Sequence, residues 1–151
     1  MKRLDRIPIC IEPGLFECPH LNSNLVESFM TKSELKANGY NIDLYYKPLI
    51  ERVHTPESLD QYFDRCSNVM RNIIDQYRPR GSTVLIVTHA PGLLALTEAI
   101  KDLKPDRDTF YRTVSAYSPL AMYIADFDET RWKFSERPFN MIPPAQRGSV
   151  F

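Results

Sequence analysis

Two side chains in this sequence stand where an α/β protein does chemistry. His89 follows the apolar β-branched run of residues 83–88 and comes directly before a helix that opens with Pro91. Ligands of open α/β sheets bind beyond the carboxyl ends of the strands. A helix start there adds amide groups without helical partners and the positive end of a macrodipole, so an anion such as a phosphoryl group is the natural guest. From position alone, a solvent-facing loop histidine or a core histidine bonded to backbone is the plainer reading. Glu17 closes the string Glu12-Pro13-Gly14-Leu15-Phe16-Glu17 after a second strand end. A carboxyl group beside Leu15 and Phe16 could carry a raised pKa and act as a general acid, although a solvated loop glutamate is the plainer alternative. Glu12, before Pro13, has a weaker claim, and His20 and His54 read as surface residues.

Metal chemistry has little to build on. Cys18 with His20 could supply two ligands, but no second pair stands nearby in sequence, so neither a metal nor any other cofactor is expected. Cys10, Cys18 and Cys66 lack CxxC spacing and are odd in number, which fits reduced thiols in a cytoplasmic protein.

The elements that position these residues follow from periodicity. Residues 7–11 form a short apolar run that should be a buried strand stopped by Pro13-Gly14. A short helix is predicted over 33–38, capped by Ser33 and ended by Gly39. Residues 56–77 give the clearest helix. Leu59, Tyr62, Phe63, Cys66, Val69, Met70, Ile73, Ile74 and Tyr77 form one stripe, with Thr55 as cap and Pro56 in the first turn. Residues 83–88 are apolar on both faces, as in a strand buried in a parallel sheet. A helix follows through Leu93, Leu96 and Ile100. Residues 120–127 form another strand, 126–130 a turn, and 131–135 an edge strand with Trp132 and Phe134 on one side. The tail from Arg137, with Pro138, Pro143 and Pro144, should be coil. The class is α/β, at most one domain over residues 1–136 followed by a tail over 137–151.

Composition agrees. The 151 residues are 43% hydrophobic and carry 19 basic against 19 acidic side chains. A net charge of zero gives no basic face for nucleic acid. No apolar run approaches the ~18 residues of a membrane span, and no secretory signal is apparent. Neither nucleic acid nor membrane is expected as a partner.

Taken in order, Glu12-Pro-Gly-Leu-Phe-Glu17, Ser33-Glu-Leu with Ala37, Tyr46-Lys-Pro48, Glu57-Ser-Leu-Asp-x-Tyr62 and Leu85-Ile-Val-Thr-His-Ala90 resemble a known domain. It is the catalytic domain of the TULA (suppressor of T-cell receptor signalling) proteins and the ecdysteroid-phosphate phosphatases, within the histidine phosphatase, or phosphoglycerate mutase-like, superfamily. The likeness runs from about Ile9 to the Trp132 region. It implies a three-layer fold, a mostly parallel sheet flanked by helices, and phosphoryl transfer through a phosphohistidine. Glu17 then matches the proton donor, and His89 the second histidine that contacts phosphate, with the Ala90 amide beside it.

The family's nucleophile lies in an Arg-His-Gly motif, and arginines there and in a Ser-Pro-x-x-Arg segment clamp the phosphate. This sequence has no Arg-His dipeptide, and Tyr117-Ser118-Pro119 continues into Leu120-Ala121-Met122-Tyr123. The resemblance therefore implies the last two-thirds of the domain without its N-terminal third, and no phosphatase activity for the chain alone. It also puts the absent first strand beside residues 83–88. Each buried backbone group left unpaired there costs roughly 1–3 kcal/mol, so the sheet must close up, borrow a strand from a partner or stay partly molten.

Three readings follow. One is a histidine phosphatase-family protein inactive alone, part of a phosphomonoester hydrolase whose N-terminus is missing from this chain. The second is a non-catalytic phosphate-binding protein, or a homodimer or heterodimer partner of a full-length relative. The third is an enzyme that phosphorylates His89 itself. By resemblance the ligand is a phosphorylated small molecule or a phosphotyrosine protein.

Overall fold

The computed structural model describes residues 7–18 and 29–134. His20 and the tail expected over 137–151 lie outside the described residues.

Helix α1 (Lys32–Ala37) is capped by Thr31 rather than Ser33. The Thr31 hydroxyl accepts from the Glu34 N–H, and the Glu34 carboxylate accepts from the Thr31 N–H. That reciprocal pair satisfies two amides, which a cap at Ser33 could not do here. Gly39 ends the helix with a left-handed backbone (φ 89°), as its sequence position implied. Helix α2 (Leu59–Tyr77) begins three residues later than the Pro56 start, because Ser58 and Gln61 form a second capping box. Its stripe is real: Leu59, Tyr62, Phe63, Cys66, Val69 and Met70 are buried.

Helix α3 (Ala90–Ile100) packs along α2. Helix α4 (Phe110–Ser115), which periodicity did not reveal, brings Phe110 edge-on to Phe63 at 5.0 Å between ring centres. The core lies between these three helices and takes in Cys18, Tyr62, Cys66, Met70, Leu96 and Phe110.

The strands depart further from expectation. β1 (Ala125–Phe127) and β2 (Trp132–Phe134) pair antiparallel, with Phe127 opposite Trp132. The edge strand expected over 131–135 is present as Trp132–Phe134; Ser135 lies outside the described residues. The turn before them is set by Asp128, whose Oδ1 accepts from the Thr130 N–H and hydroxyl and the Arg131 N–H. The strand expected over 120–127 is reduced to its last three residues; Leu120 takes a positive φ of 58°, which extended backbone excludes.

Residues 7–11 make a parallel bridge between Ile9 and Ile42, not a buried strand, since Ile7 and Ile9 stay half-exposed. Residues 83–88 are not the buried strand expected either. Leu85 and Val87 are 70% and 81% exposed, while Ile86 leans on the helical core. Burial of such a segment needs cover on both faces and a ladder at each edge. Among the described residues only one face receives cover. The architecture is α/β, with helices well built and the sheet sparse.

Candidate functional site

The site begins at Glu12. Its carboxylate accepts four hydrogen bonds, from the Gly14 N–H (2.9 Å), the Tyr46 hydroxyl (2.9 Å) and the N–H groups of Leu49 (2.6 Å) and Ile50 (3.1 Å). A carboxylate saturated in this way is a joint between segments, not a proton donor. Burial, together with the Glu12 hydrogen bond, pushes the Tyr46 phenol well above its ordinary range. Glu12 also starts the short 3-10 turn Pro13–Leu15. Gly14 in that turn lies so close to α2 that a Cβ would stand 2.5 Å from Val69 Cγ2.

Arg65 of α2 binds the same turn. Its guanidinium donates to the Gly14 carbonyl at 2.8 Å and the Phe16 carbonyl at 3.2 Å. From its other edge it makes a bidentate pair with Glu57, both bonds 2.7 Å, and the two side chains are 6% and 7% exposed. Burial alone would ease off its proton, but the Glu57 hydrogen bonds and charge outweigh that and hold it more firmly. The intervening carbonyl, Leu15, accepts from the Thr88 hydroxyl at 3.2 Å.

The backbone so held delivers Glu17 to His89. Glu17 Oε2 lies 3.9 Å from His89 Nε2, and Glu17 Oε1 accepts from the Cys18 N–H at 2.9 Å. At 3.9 Å the two groups are beyond hydrogen-bond distance, so both can address a third group placed between them. Glu17 is 21% exposed and His89 57%, and the site is therefore open to solute.

His89 is the N-cap residue of α3, and its side chain makes no capping bond. Pro91 has no N–H, so the amides that open this helix belong to Ala90 and Gly92. An imidazole, two amides and a helix dipole on one side, with a carboxyl group on the other, can hold a phosphoryl oxygen and protonate a departing one.

The structure brings together all three residues singled out in the sequence, Glu17, His89 and Ala90. His54 is exposed. Cys10 is exposed, while Cys18 and Cys66 are buried. Burial pushes the Cys66 thiol up to about 11, which keeps it neutral.

Arg65, Glu57, Thr88 and the joint at Glu12 were not anticipated. One signal was available for Arg65. It falls three residues after Tyr62 and four before Val69, so a charge sits inside the apolar stripe of α2. Glu57 and Tyr46 sat within the family-like strings without a role. Among the described residues no helix is long and apolar enough to cross a membrane.

No family model matches the chain. Individual proteins do. It is 31% identical over 102 residues to the ecdysteroid-phosphate phosphatase of Bombyx mori, covering 68% of this chain and 15% of that protein. It is 34% identical over 108 residues to ubiquitin-associated and SH3 domain-containing protein A of Mus musculus, 70% of this chain and 17% of the relative. The human form of that protein aligns over 94% of this chain at 28% identity. The chain thus spans under a quarter of the length of each.

Among solved structures it is similar to the ecdysone phosphate phosphatase from the silkworm in complex with tungstate. The TM-score is 0.58 at 33% identity, covering 66% of this chain and 38% of that one. With the ordered motifs and this structural match agreeing, the chain belongs to the histidine phosphatase superfamily, on the branch of the ecdysteroid-phosphate phosphatases and the TULA proteins.

Proposed function

We propose that this chain supplies the proton-donor and phosphate-contacting side of a phosphomonoester site, and that alone it does not hydrolyse phosphomonoesters at a significant rate. The observation that carries this reading is the 3.9 Å approach of Glu17 to His89 at the start of α3. In this assignment Glu17 protonates the leaving oxygen, while His89 and the Ala90 amide hold the phosphoryl group. The sequence has no Arg-His dipeptide. Without that nucleophile the covalent route is closed, and without guanidinium clamps several kcal/mol of charge stabilisation is lost.

The ligand is a phosphorylated small molecule or a phosphotyrosine protein, and the setting is the cytoplasm. The exposure of Leu85 and Val87 favours a second element of the reading, a role as binding partner of a full-length relative that covers this segment.

One assay tests the central claim. The purified chain is incubated with p-nitrophenyl phosphate, with His89→Ala as the control. The expected result is no release above that of the control; turnover that His89→Ala abolishes would overturn the inactive reading.

A further inference from the structure

We infer that Thr88 is a positioning residue that fixes the distance between Glu17 and His89, with Arg65 holding the same loop at the two neighbouring carbonyls. This rests on the site reading above and adds to it the device that sets its geometry. The three carbonyls leading into Glu17 are each held by a side chain. Arg65 takes those of Gly14 and Phe16, and Thr88 takes that of Leu15 between them. Thr88 is the residue directly before His89, so its hydroxyl ties the histidine's own segment to the glutamate's loop.

The same two segments meet again at the Glu17–His89 approach itself, at 3.9 Å. The Thr88 hydroxyl in turn depends on Gly92. A Cβ at that position, in the first turn of α3, would collide with Thr88 Oγ1. Arg65 is locked by Glu57 in the buried pair, so it keeps its place if Thr88 lets go. The loop itself stays held, by Arg65 at Gly14 and Phe16 and by the Pro13 carbonyl at the Phe16 N–H (2.9 Å), so loss of the Thr88 bond frees the irregular segment that carries His89 and lets the imidazole move relative to Glu17.

The readout is geometric. In the full chain, a nuclear Overhauser contact between the His89 ring protons and the Glu17 side-chain methylenes reports the approach directly. Thr88→Val keeps shape and β-branching but removes the hydroxyl, Thr88→Ser restores it, and Gly92→Ala displaces it while leaving the threonine in the sequence. The expected pattern is contact present in the unaltered chain and in Thr88→Ser, and lost in Thr88→Val and Gly92→Ala. Far-UV circular dichroism and the thermal midpoint separate this from unfolding, since a merely structural threonine would lower the midpoint and leave the contact in place.

Survival of the contact in Thr88→Val at its original strength overturns the inference, as does its absence from the unaltered chain. Titration with inorganic phosphate, followed through the His89 ring shifts, tests the site reading separately. No phosphate response with an intact Thr88-dependent contact sinks the phosphate assignment and leaves Thr88 as the positioning residue.

Discussion

Glu57→Gln is the substitution through which the framework under the site is most directly measured. The Arg65–Glu57 pair is bidentate at 2.7 Å with both side chains almost fully enclosed. Glutamine keeps the volume and one acceptor oxygen, but it leaves the guanidinium charge buried with two carbonyls for company. Removing one partner of such a pair costs about 3–5 kcal/mol, against roughly 5–15 kcal/mol for a whole domain.

At 2–4 °C per kcal/mol for a chain of this size, the thermal midpoint should fall by about 6–20 °C. The internal control is Lys104 with Asp64, a pair of 2.6 Å whose side chains are 60% and 57% exposed. Its distance is as short, yet water screens it, and Asp64→Asn should cost under ~1 kcal/mol. Thermal and urea unfolding followed by circular dichroism compare the two. If the two substitutions lower stability equally, burial does not decide the value of the Arg65 pair and the account of the framework is wrong. The double change Glu57→Leu with Arg65→Met should recover part of the loss, since it leaves no buried charge.

Two further outcomes follow from named contacts. Gly14→Ala places a Cβ 2.5 Å from Val69 Cγ2 and 2.8 Å from Glu12 Oε1, so overpacking should cost about 1–3 kcal/mol in urea unfolding; a neutral result would show that the turn can move off α2. The Asp128 carboxyl is held down to about 2, first by the Thr130 hydroxyl, then by Lys133 and the Arg131 N–H. Its folded value is depressed below that of the unfolded chain, so its contribution to the β1–β2 turn is present above about pH 4 and is lost as pH falls toward 2. Carbon NMR titration of Asp128 should show that low midpoint, and Thr130→Val should raise it.

What the sequence disclosed and what it hid divide along physical lines. The helices were legible because a 3.6-residue stripe such as Tyr62, Cys66, Val69 is a local pattern. Their starts were misplaced because Thr31 and Ser58 cap through partners three residues on, and the competing Ser33 and Thr55 look as good without that geometry. α4 was missed because six residues around Phe110 carry too little periodicity. Glu17 and His89 stand out in the sequence because both follow chain segments that end abruptly, and the family-like strings suggest roles for them.

The joint at Glu12 and the Arg65 clamp were not found, and the reason is general. Beside the side chains of Tyr46 and Glu57, their partners are backbone groups, at Leu49, Ile50, Gly14 and Phe16, and a backbone amide has no letter in a sequence. A glutamate that accepts four hydrogen bonds and one that donates a proton are written identically. Glu12 and Glu17 sit five residues apart in one motif, and only the count of donors around each separates the strut from the acid: four N–H or O–H groups saturate Glu12, whereas Glu17 takes one amide on Oε1 and turns Oε2 toward an imidazole. A carboxylate already filled by four donors has no oxygen left to turn toward a ligand, so Glu12 shapes this loop, and under the proposed function its chemistry falls to Glu17.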